Sequence, residues 1–349
     1  YASPASMGIY MGLIQSMGML FGFEYVWFIH PVLSLILIVV FIYFGYRSVS
    51  RYIHKKWLSA LLVIGAIAVF GTSDLPFAMF EYIHTNLTSG LFLFLVVLSL
   101  YYTIEEENGS WLVLTGFAFI SFGLMRIENV IMALILIFLY ISSGKLTLKQ
   151  SAFTFIPYLV IQGVWYLSVY FMEIETFLSS MEKIQILLTS LACFAMIFVI
   201  FLSQWRLLQR ILDWTGRAFP FLLLVVWSAL GIMNPPQYLT NLQSLGLDLF
   251  ITGNWGSFWY VVVSLFIISM FLSHFPQKRL LSRFMVGFVA IVEILGFFRV
   301  PYHDEWNDSA NRMMIHIAPL VLFFVITQIA KAGSKRQLSS ESEELTGTP

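Results

Sequence analysis

Long apolar runs alternate with short polar segments along almost the whole chain. A helix needs about 20 predominantly apolar residues to cross the hydrocarbon core of a bilayer. The pattern therefore predicts an all-α fold, a polytopic transmembrane helix bundle with about ten or eleven membrane helices. The predicted spans lie near residues 31–46, 57–72, 87–104, 110–125, 127–142, 151–171, 184–203, 218–234, 256–273, 284–299 and 313–331.

Three regions depart from a simple succession of spans. Only Arg126 separates the runs 110–125 and 127–142, which predicts a tight helical hairpin. Residues 1–30 combine glycines with aromatic side chains, and we expect this segment to lie in the membrane interface or to re-enter the bilayer. The polar residues 334–349 are predicted to form a disordered cytoplasmic tail, which leaves 1–333 as the transmembrane domain.

The composition indicates that lipid is the main solvent of this chain. Hydrophobic residues make up 59% of the sequence and charged residues only 11%, and the mean hydropathy is +0.84. Soluble domains carry roughly 25% charged residues, so this chain has too few charges to cover a surface in water. The formal net charge is zero, which gives no reason to expect a nucleic-acid partner.

Basic residues are distributed unevenly between the two sides that alternating spans define. Cytoplasmic loops are enriched in Lys and Arg. We therefore expect an integral protein of the cell (cytoplasmic) membrane, with its C-terminus in the cytoplasm. Fifteen of the nineteen basic residues lie on the cytoplasmic side, here named the basic face: Arg47, Arg51, Lys55, Lys56, Lys145, Lys149, Arg206, Arg210, Arg217, Lys278, Arg279, Arg283, Lys331, Lys335 and Arg336. The opposite side, here named the acidic face, carries the other four and these carboxylates: Glu24, Asp74, Glu81, Glu128, Glu173, Glu175, Glu182, Asp248, Asp304, Glu305 and Asp308.

Three polar clusters on the acidic face are candidates for chemistry. The first contains Asp74, Glu81 and His84, whose carboxylates and imidazole suit acid–base work or a divalent metal. The alternative is a solvated loop in which Ser73 and Asp74 cap a helix. Two stretches on this face also match the glycosylation pattern, Asn86-Leu87-Thr88 and Asn307-Asp308-Ser309.

Arg126 and Glu128 form the second cluster, at the turn of the predicted hairpin. Apolar residues flank Arg126 on both sides, so its guanidinium needs an anionic partner. That partner is either a carboxylate such as Glu128, in an internal ion pair that fixes the hairpin, or the phosphate of a ligand. The sequence leaves both interpretations open.

The third cluster runs from His303 and Asp304 through Asp308 to Arg312 and His316, and it is the densest polar stretch of the chain. Arg312 and His316 are four residues apart and therefore share one face of a helix. Arg312 would lie in the first turn of that helix, where the helix dipole disfavours a cation. We expect an anionic partner for it, either a phosphate or Asp308.

One further candidate lies within a predicted span. Glu293 is about six residues from the outer end of the span 284–299. An ionisable residue inside a membrane is costly and is a functional candidate for that reason. A hydrogen bond to a neighbouring helix is the structural alternative. The sequence contains no P-loop, GxGxxG or HExxH motif.

Three stretches together resemble a known family. They are Tyr1–Gly22 with its glycines, Gly116…Gly123-Leu124-Met125-Arg126-Ile127-Glu128, and Asp308-Ser309-Ala310-Asn311-Arg312…His316…Pro319. Their order resembles polytopic GT-C class glycosyltransferases of the protein mannosyltransferase and aminoarabinose transferase type. In that family these stretches correspond to the segment after the first outer loop, a helical hairpin that ends in Arg-x-Glu, and the polar start of a late helix.

The resemblance implies a GT-C-like fold and a membrane-bound, polyprenyl-phosphate-linked sugar as donor. The sugar would be transferred with inversion to an acceptor that the sequence does not identify, on the non-cytoplasmic side. Arg126, Arg312 and His316 would bind the donor phosphate. Glu128 and Asp308 would orient the arginines, because guanidinium groups that meet a phosphate are held by neighbouring carboxylates.

The catalytic base is less defined by the resemblance. Family members usually take it from the first outer loop, which would precede Tyr1. Asp74 or Glu81 is the alternative base within this sequence. The sequence identifies no definite cofactor, and a divalent metal is the one possibility it leaves open. His84, His303, Asp304 and Glu293 are additional candidate site residues.

Two other functions are compatible with the same features. A transporter or flippase of a lipid-linked or small polar substrate would also have polar residues within its spans, and Glu293 lies within one. A non-catalytic membrane assembly subunit is the third possibility. Two superposable halves of the bundle would favour transport, and a groove lined by Arg126, Arg312 and a carboxylate would favour the glycosyltransferase.

Overall fold

The computed structural model of the protein describes residues 29–53, 55–71, 73–74, 85–172, 182–272, 278–299 and 309–346. Within these ranges the chain is all-α, with twelve α-helices, one short π-helical turn (Asp248–Thr252) and no β-strand. The helices in chain order are α1 (Ile29–Ser50), α2 (Lys56–Gly71), α3 (Thr85–Glu106), α4 (Trp111–Met125), α5 (Asn129–Ser142), α6 (Leu148–Met172), α7 (Lys183–Leu202), α8 (Arg206–Met233), α9 (Pro235–Leu247), α10 (Phe258–Leu272), α11 (Lys278–Arg299) and α12 (Ser309–Thr346).

The predicted class, an all-α polytopic membrane helix bundle, is confirmed. Seven of the described helices are long and apolar enough to cross a membrane, namely α1, α3, α6, α7, α8, α11 and α12. Four shorter apolar helices, α2, α4, α5 and α10, occupy the remaining predicted spans. Each of the eleven predicted spans therefore overlaps a helix.

The helix α8 begins earlier than the sequence predicts. Its apolar run starts near residue 218, but the helix starts at Arg206. Arg217 donates to the carboxylate of Asp213 four residues earlier, on an exposed part of the helix. Charged residues at this spacing support a helix that continues beyond the apolar run, so the polar segment 206–217 is helical rather than a loop.

The helix α9 is missing from the sequence prediction. It contains too many polar residues to read as a membrane span, although its start carries clear signals. Pro235 opens the helix, and the Asn234 side chain accepts a hydrogen bond from the backbone N–H of Gln237 at 3.4 Å. These are the usual features of a helix N-terminus, so α9 was recognisable from local signals alone.

The centre of the bundle is formed by α3 and α12. Both are almost completely buried: 94% of the residues in the most apolar part of each helix are buried. A Cβ at Gly90 of α3 would lie 2.7 Å from the backbone oxygen of Ile315 in α12, so only glycine permits this approach. By contrast, only 22% and 11% of the residues in the most apolar parts of α7 and α8 are buried, and these helices present large side chains such as Phe198 and Phe221 outward.

Contacts between helix ends agree with the predicted alternation of spans. On the basic face, Arg47 at the end of α1 donates to Glu106 at the end of α3 at 2.8 Å. The Lys331 ammonium of α12 lies 5.5 Å from the centre of the Tyr52 ring. On the acidic face, Ser73 donates to the backbone oxygen of Trp255 at 2.8 Å. These contacts bring the ends of α1, α3 and α12 together at the basic face, and the end of α2 and the segment before α10 together at the acidic face.

Two predictions about the chain ends stay predictions. Residues 1–28 lie outside the described residues, so the interfacial or re-entrant segment is not tested. The backbone of α12 continues as helix to Thr346, through the residues predicted to form a disordered cytoplasmic tail. A polar helical extension of this length is marginal in water without tertiary packing, so the domain boundary at 333 and the state of the tail stay open.

Candidate functional site

The site begins at the three-residue turn between α4 and α5. Met125 ends α4 and Asn129 begins α5, which confirms the predicted tight hairpin. The Asn129 amide donates to the backbone oxygen of Phe122 at 2.7 Å, and the Tyr166 hydroxyl donates to the backbone oxygen of Ile127 at 3.0 Å. Both ends of the turn are thus fixed by side chains, which makes the position of Arg126 well defined.

Arg126 is held by two hydrogen bonds. Its Nε donates to Glu128 Oε1 at 2.5 Å, and its Nη1 donates to Asn86 Oδ1 at 2.7 Å. Both charged side chains are nearly buried, with exposed fractions of 13% for Arg126 and 9% for Glu128. A guanidinium has five N–H groups, and these bonds use two of them. No described residue uses the remaining N–H groups, so within the described part of the chain they are available to a ligand that reaches the turn.

Glu128 is an ionised partner for this arginine. Burial is the largest single influence and raises the pKa of its carboxyl, but the adjacent Arg126 guanidinium and the hydrogen bonds to the carboxylate together lower it by more, so the pKa lies below its usual value. The charge of Arg126 is therefore balanced within the turn. This confirms the internal ion pair, which was one of the two interpretations that the sequence left open. The other interpretation, a ligand phosphate, is compatible with the remaining N–H groups of Arg126.

The helix α12 brings His316 to the same place. His316 Nε2 lies 3.3 Å from Asn86 Oδ1, the atom that also accepts from Arg126. Because that oxygen is an acceptor, Nε2 is the nitrogen that carries the proton. His316 is completely buried, and its Nδ1 has no hydrogen-bond partner among the described residues. Asn86 therefore joins the hairpin to α12, across the close contact that Gly90 permits.

Arg312 lies one turn before His316, in the first turn of α12 as predicted. Its side chain is half-buried. The preceding residue, Asn311, is fully buried, accepts from the Trp255 indole N–H and donates to the backbone oxygen of Gly253 at 3.1 Å. The start of α12 is thus fixed by the segment before α10, so Arg312 and His316 share a helix face whose position is well defined.

The remaining predicted residues fall into two groups. Asp74 is exposed, and its neighbour Ser73 donates to the backbone of Trp255, whose indole in turn donates to Asn311. Asp74 therefore lies at the same face as the start of α12. Glu81, His84, His303, Asp304 and Asp308 lie outside the described residues.

Glu293 belongs to a different part of the molecule. It is buried within α11 and lines a cavity that also contacts Met314 and Ile317 of α12. Met314 points away from both Arg312 and His316, which are each two residues from it, and Ile317 lies on the Met314 side of the helix, about 140° around the axis from Arg312. The structure therefore brings Arg126, Glu128 and His316 together and separates Glu293 from them.

Sequence reasoning missed the role of Asn86. The sequence offered only the glycosylation pattern Asn86-Leu87-Thr88, yet Asn86 and Thr88 are both fully buried, and Thr88 exchanges a hydrogen bond with Ser34 at 2.9 Å. A buried asparagine is not a glycosylation site. A polar residue in the first turn of an otherwise apolar helix was the available signal, but its partner 40 residues away is not readable from the sequence.

An apolar groove of about 250 Å³ is lined by residues that neighbour this cluster in the chain, and by none of the cluster's own side chains. It is formed by α1, α2, α3 and α12. Leu87, next to Asn86, and Pro319, one turn after His316, both line it. Leu35 of α1 also lines it and is 53% exposed, so the groove is accessible from the side of the bundle that would face lipid.

The described part of the chain contains no cluster of side chains suited to bind a metal ion. Within it, no group of three or more His, Cys, Asp and Glu side chains is arranged to hold a metal ion. The predicted divalent metal therefore stays a prediction that depends on acidic residues such as Glu81 and Asp304, which lie outside the described residues.

No family model matches this chain, and no curated protein sequence or solved structure matches it either. The resemblance to GT-C class glycosyltransferases rests on the sequence stretches alone, and the geometry of the site provides the remaining arguments about function.

Proposed function

We propose that this chain is a membrane glycosyltransferase that moves a sugar from a polyprenyl-phosphate donor to an acceptor at the acidic face. The observation that carries the proposal is the nearly buried Arg126 guanidinium, which Glu128 and Asn86 hold in place while further N–H groups remain. A fixed guanidinium donates parallel hydrogen bonds to a phosphate and stabilises the negative charge that develops as the phosphate leaves.

The start of α12 supports the same assignment. Arg312 lies one turn from His316, and His316 shares the acceptor atom of Asn86 with Arg126. An arginine from the hairpin turn and a second from α12 would together neutralise a phosphate more completely than one if the donor meets both. Because Asn311 and Gly90 fix the position of α12, these groups need little reorganisation when the donor binds.

The neighbouring groove supports a donor with a long hydrocarbon chain. Its lining is apolar, and it extends from Leu87 at the acidic face to Leu322 deeper in the bundle. A polyprenyl chain in this groove would bury apolar surface while its phosphate stayed at the end near Asn86. A small soluble substrate would have no use for this groove.

The proposed reaction is a substitution at the anomeric carbon of the donor sugar. An acceptor hydroxyl or amine attacks that carbon, the bond from the carbon to the phosphate oxygen breaks, and the polyprenyl phosphate leaves with the electron pair. A carboxylate takes the acceptor's proton. Asp74, which is exposed at the acidic face, is the described candidate for this base, and Glu81 is the alternative.

The test is a transfer assay with purified protein in liposomes. A set of polyprenyl-phosphate donors with radiolabelled hexoses and pentoses is supplied, and release of polyprenyl phosphate is measured. We expect Arg126→Ala and Arg312→Ala each to lower the rate by about a hundredfold or more, which is the usual loss for one donor of transition-state stabilisation. Arg126→Lys should keep part of the activity, because it retains the charge without the bidentate geometry.

Lys183→Ala is the matched control for these variants. Lys183 is a cation of the acidic face whose ammonium lies over the Tyr170 ring, 5.2 Å from its centre, and it is outside the cluster. Its loss should leave transfer unchanged. The proposal fails if Arg126→Ala turns over every active donor at the unaltered rate. It also fails if the protein moves intact donor across the bilayer without breaking the sugar–phosphate bond, which would identify a flippase.

A further inference from the structure

The first turns of α8 carry an exposed surface at the basic face that the proposed reaction does not use. Residues three, four or seven positions apart lie on one side of a helix, so a stripe of arginines runs beside a stripe of apolar residues here. All members of this surface, here named the amphipathic surface of α8, are exposed: Arg206, Arg210, Arg217, Leu207, Ile211 and Trp214. Its apolar members are 49–72% exposed, so an external partner can reach them.

The opposite side of the same turns fixes the direction in which this surface points. Gln209 donates to the backbone oxygens of Ile141 and Ser142 at 3.3 Å, at the end of α5. Leu212 is buried, and a Cβ at Gly216 would overlap the Ser142 hydroxyl, so α8 packs closely against α5. Gln209, Leu212 and Gly216 follow one another at helical spacing and form the buried side. The amphipathic surface is therefore turned away from the bundle.

The length of α8 places this surface at the boundary of the membrane. The helix has 28 residues, which corresponds to about 42 Å, whereas the hydrocarbon core of a bilayer is about 30 Å thick. All charged residues of α8 lie between Arg206 and Arg217, and charged side chains are costly in hydrocarbon. The excess length therefore extends into the headgroup layer, where tryptophans such as Trp214 are also enriched.

Two of the three arginines have no anionic partner in the described part of the chain. Arg217 donates to the carboxylate of Asp213. Arg206 and Arg210 form no ion pair with any described residue. The loops before α6 and before α8 contain no acidic residue, and Lys145 in the first of these loops is exposed. The surface therefore keeps an uncompensated positive charge beside its apolar stripe.

This combination of charge and apolar area selects the partner. A phospholipid supplies a phosphate for the arginines and acyl chains for the apolar stripe. An anionic headgroup complements the charge, whereas a zwitterionic headgroup carries a cation of its own next to the arginines. A second copy of the chain that bound through the same surface would bring arginines against arginines. Only 11% of the residues in the most apolar part of α8 are buried, so lipid is the expected neighbour of this helix.

We propose that the amphipathic surface of α8 binds an anionic phospholipid in the membrane leaflet at the basic face. The lipid phosphate would meet Arg206 and Arg210, which are one turn and about 6 Å apart along the helix. The acyl chains would lie along the apolar stripe. The site is distinct from the cluster around Arg126, and it does not depend on the proposed transfer reaction.

Tryptophan quenching tests this proposal on the full chain in phosphatidylcholine nanodiscs. The probe is phosphatidylglycerol brominated on its acyl chains, which quenches a tryptophan that it contacts, and brominated phosphatidylcholine is the reference. The difference between the wild type and Trp214→Phe gives the signal of Trp214. We expect phosphatidylglycerol to be enriched about tenfold over phosphatidylcholine at Trp214 at low salt. This enrichment should fall in about 0.5 M salt, because the arginines are exposed.

Two matched double variants separate a local site from the general charge of the basic face. Arg206→Gln with Arg210→Gln removes two exposed cations of α8 and should lower the enrichment at Trp214 to about twofold or less. Lys55→Gln with Lys56→Gln removes two exposed cations at the start of α2, a helix that packs against α1 and α12, and should keep the enrichment. Both variants should unfold at the temperature of the wild type, since all four side chains are exposed.

Four results would overturn the proposal. One is equal quenching by the two lipids in the wild type, which would mean that the surface does not select a charge. The second is unchanged enrichment in the α8 double variant. The third is an equal loss in the α2 double variant, which would mean that the whole face acts rather than one site. The last is absence of quenching of Trp214, which would indicate a protein partner. Arg126→Ala should leave the enrichment unchanged, so failure of this proposal is distinguishable from failure of the transferase proposal.

Discussion

The two faces of the bundle each hold an arginine–glutamate pair, and the two pairs are built differently. On the basic face, Arg47 and Arg51 both donate to Glu106, and the Trp111 indole donates to the same carboxylate at 2.9 Å. Both arginines also lie over the Tyr102 ring, at 5.2 and 4.9 Å from its centre. Two cations share one carboxylate there, and all three side chains are 20–36% exposed.

On the acidic face, one arginine meets one carboxylate with little access to solvent. Arg126 and Glu128 are 13% and 9% exposed, and the neighbouring His316 nitrogen Nδ1 lacks a partner within the described residues. The basic-face group is partly solvated, which suits a structural connection between α1, α3 and α4. The acidic-face group keeps Arg126 N–H donors that no described residue uses in a low-dielectric place, which is what an anion-binding site requires.

The largest effect should follow removal of the buried charge. Arg126→Ala leaves Glu128 buried without its counter-ion, and we expect a destabilisation of about 3–5 kcal/mol, the usual result of breaking a buried pair. Arg126→Met with Glu128→Gln removes both charges and should recover most of the stability without recovering donor binding. Thermal unfolding in detergent measures the first quantity. Full donor binding by the double variant would show that the pair is structural only.

The next effect should come from the contact that holds α3 against α12. Gly90→Ala places a methyl group 2.7 Å from the Ile315 oxygen and 2.9 Å from the His316 Cα, so the helices must move apart. We expect a loss of about 1–3 kcal/mol, as for other overpacked sites, together with weaker donor binding. Gly65→Ala, where a Cβ meets nothing within 4 Å, is the matched control and should be neutral or slightly stabilising.

A smaller effect is expected from the carboxylate of the basic face. Glu106→Gln removes the negative charge that Arg47 and Arg51 share, but it keeps an acceptor for Trp111. Because the group is partly solvated, we expect a loss of only about 1 kcal/mol in unfolding free energy and no change in donor binding. A loss as large as that of Arg126→Ala would remove the distinction between the two faces.

The smallest effect should follow Arg47→Ala. Arg51 still pairs with Glu106 and still lies over Tyr102 in this variant, so the carboxylate keeps a cation. We expect a change of about 0–1 kcal/mol, which is typical of exposed ion pairs, and it should shrink further at high salt. A salt-insensitive loss would show that the packing of the arginine stem matters more than its charge.

The comparison also shows which information a sequence holds about such sites. The hairpin and the pairing of Arg126 with Glu128 were predictable, since an arginine between two apolar runs has a single carboxylate two residues away. Asn86 was not predictable as a partner, because the contact depends on the packing of α3 against α4. The close approach of α12 likewise depends on one glycine among the chain's 22, which has no distinctive local pattern.

For the fold as well, local features were predictable from the sequence, whereas features that depend on helix packing were not. Apolar runs located eleven of the twelve described helices, because length and hydropathy suffice for a span. The missing helix, α9, has the signals of a helix start but a polar composition that the span criterion rejects. Glu293 was recognised as an unusual residue, but the cavity that it lines arises only when five helices assemble.

The most direct test of the account is binding of a short donor analogue to the acidic face. Farnesyl phosphate and the neutral farnesyl methyl ether are titrated against wild type and against the Arg126→Met, Glu128→Gln double variant in nanodiscs. We predict that the wild type binds the phosphate at least tenfold more tightly than the ether and that the double variant loses this preference. Equal affinity of the wild type for both molecules, or an unchanged preference in the double variant, would contradict the assignment of Arg126 to a phosphate.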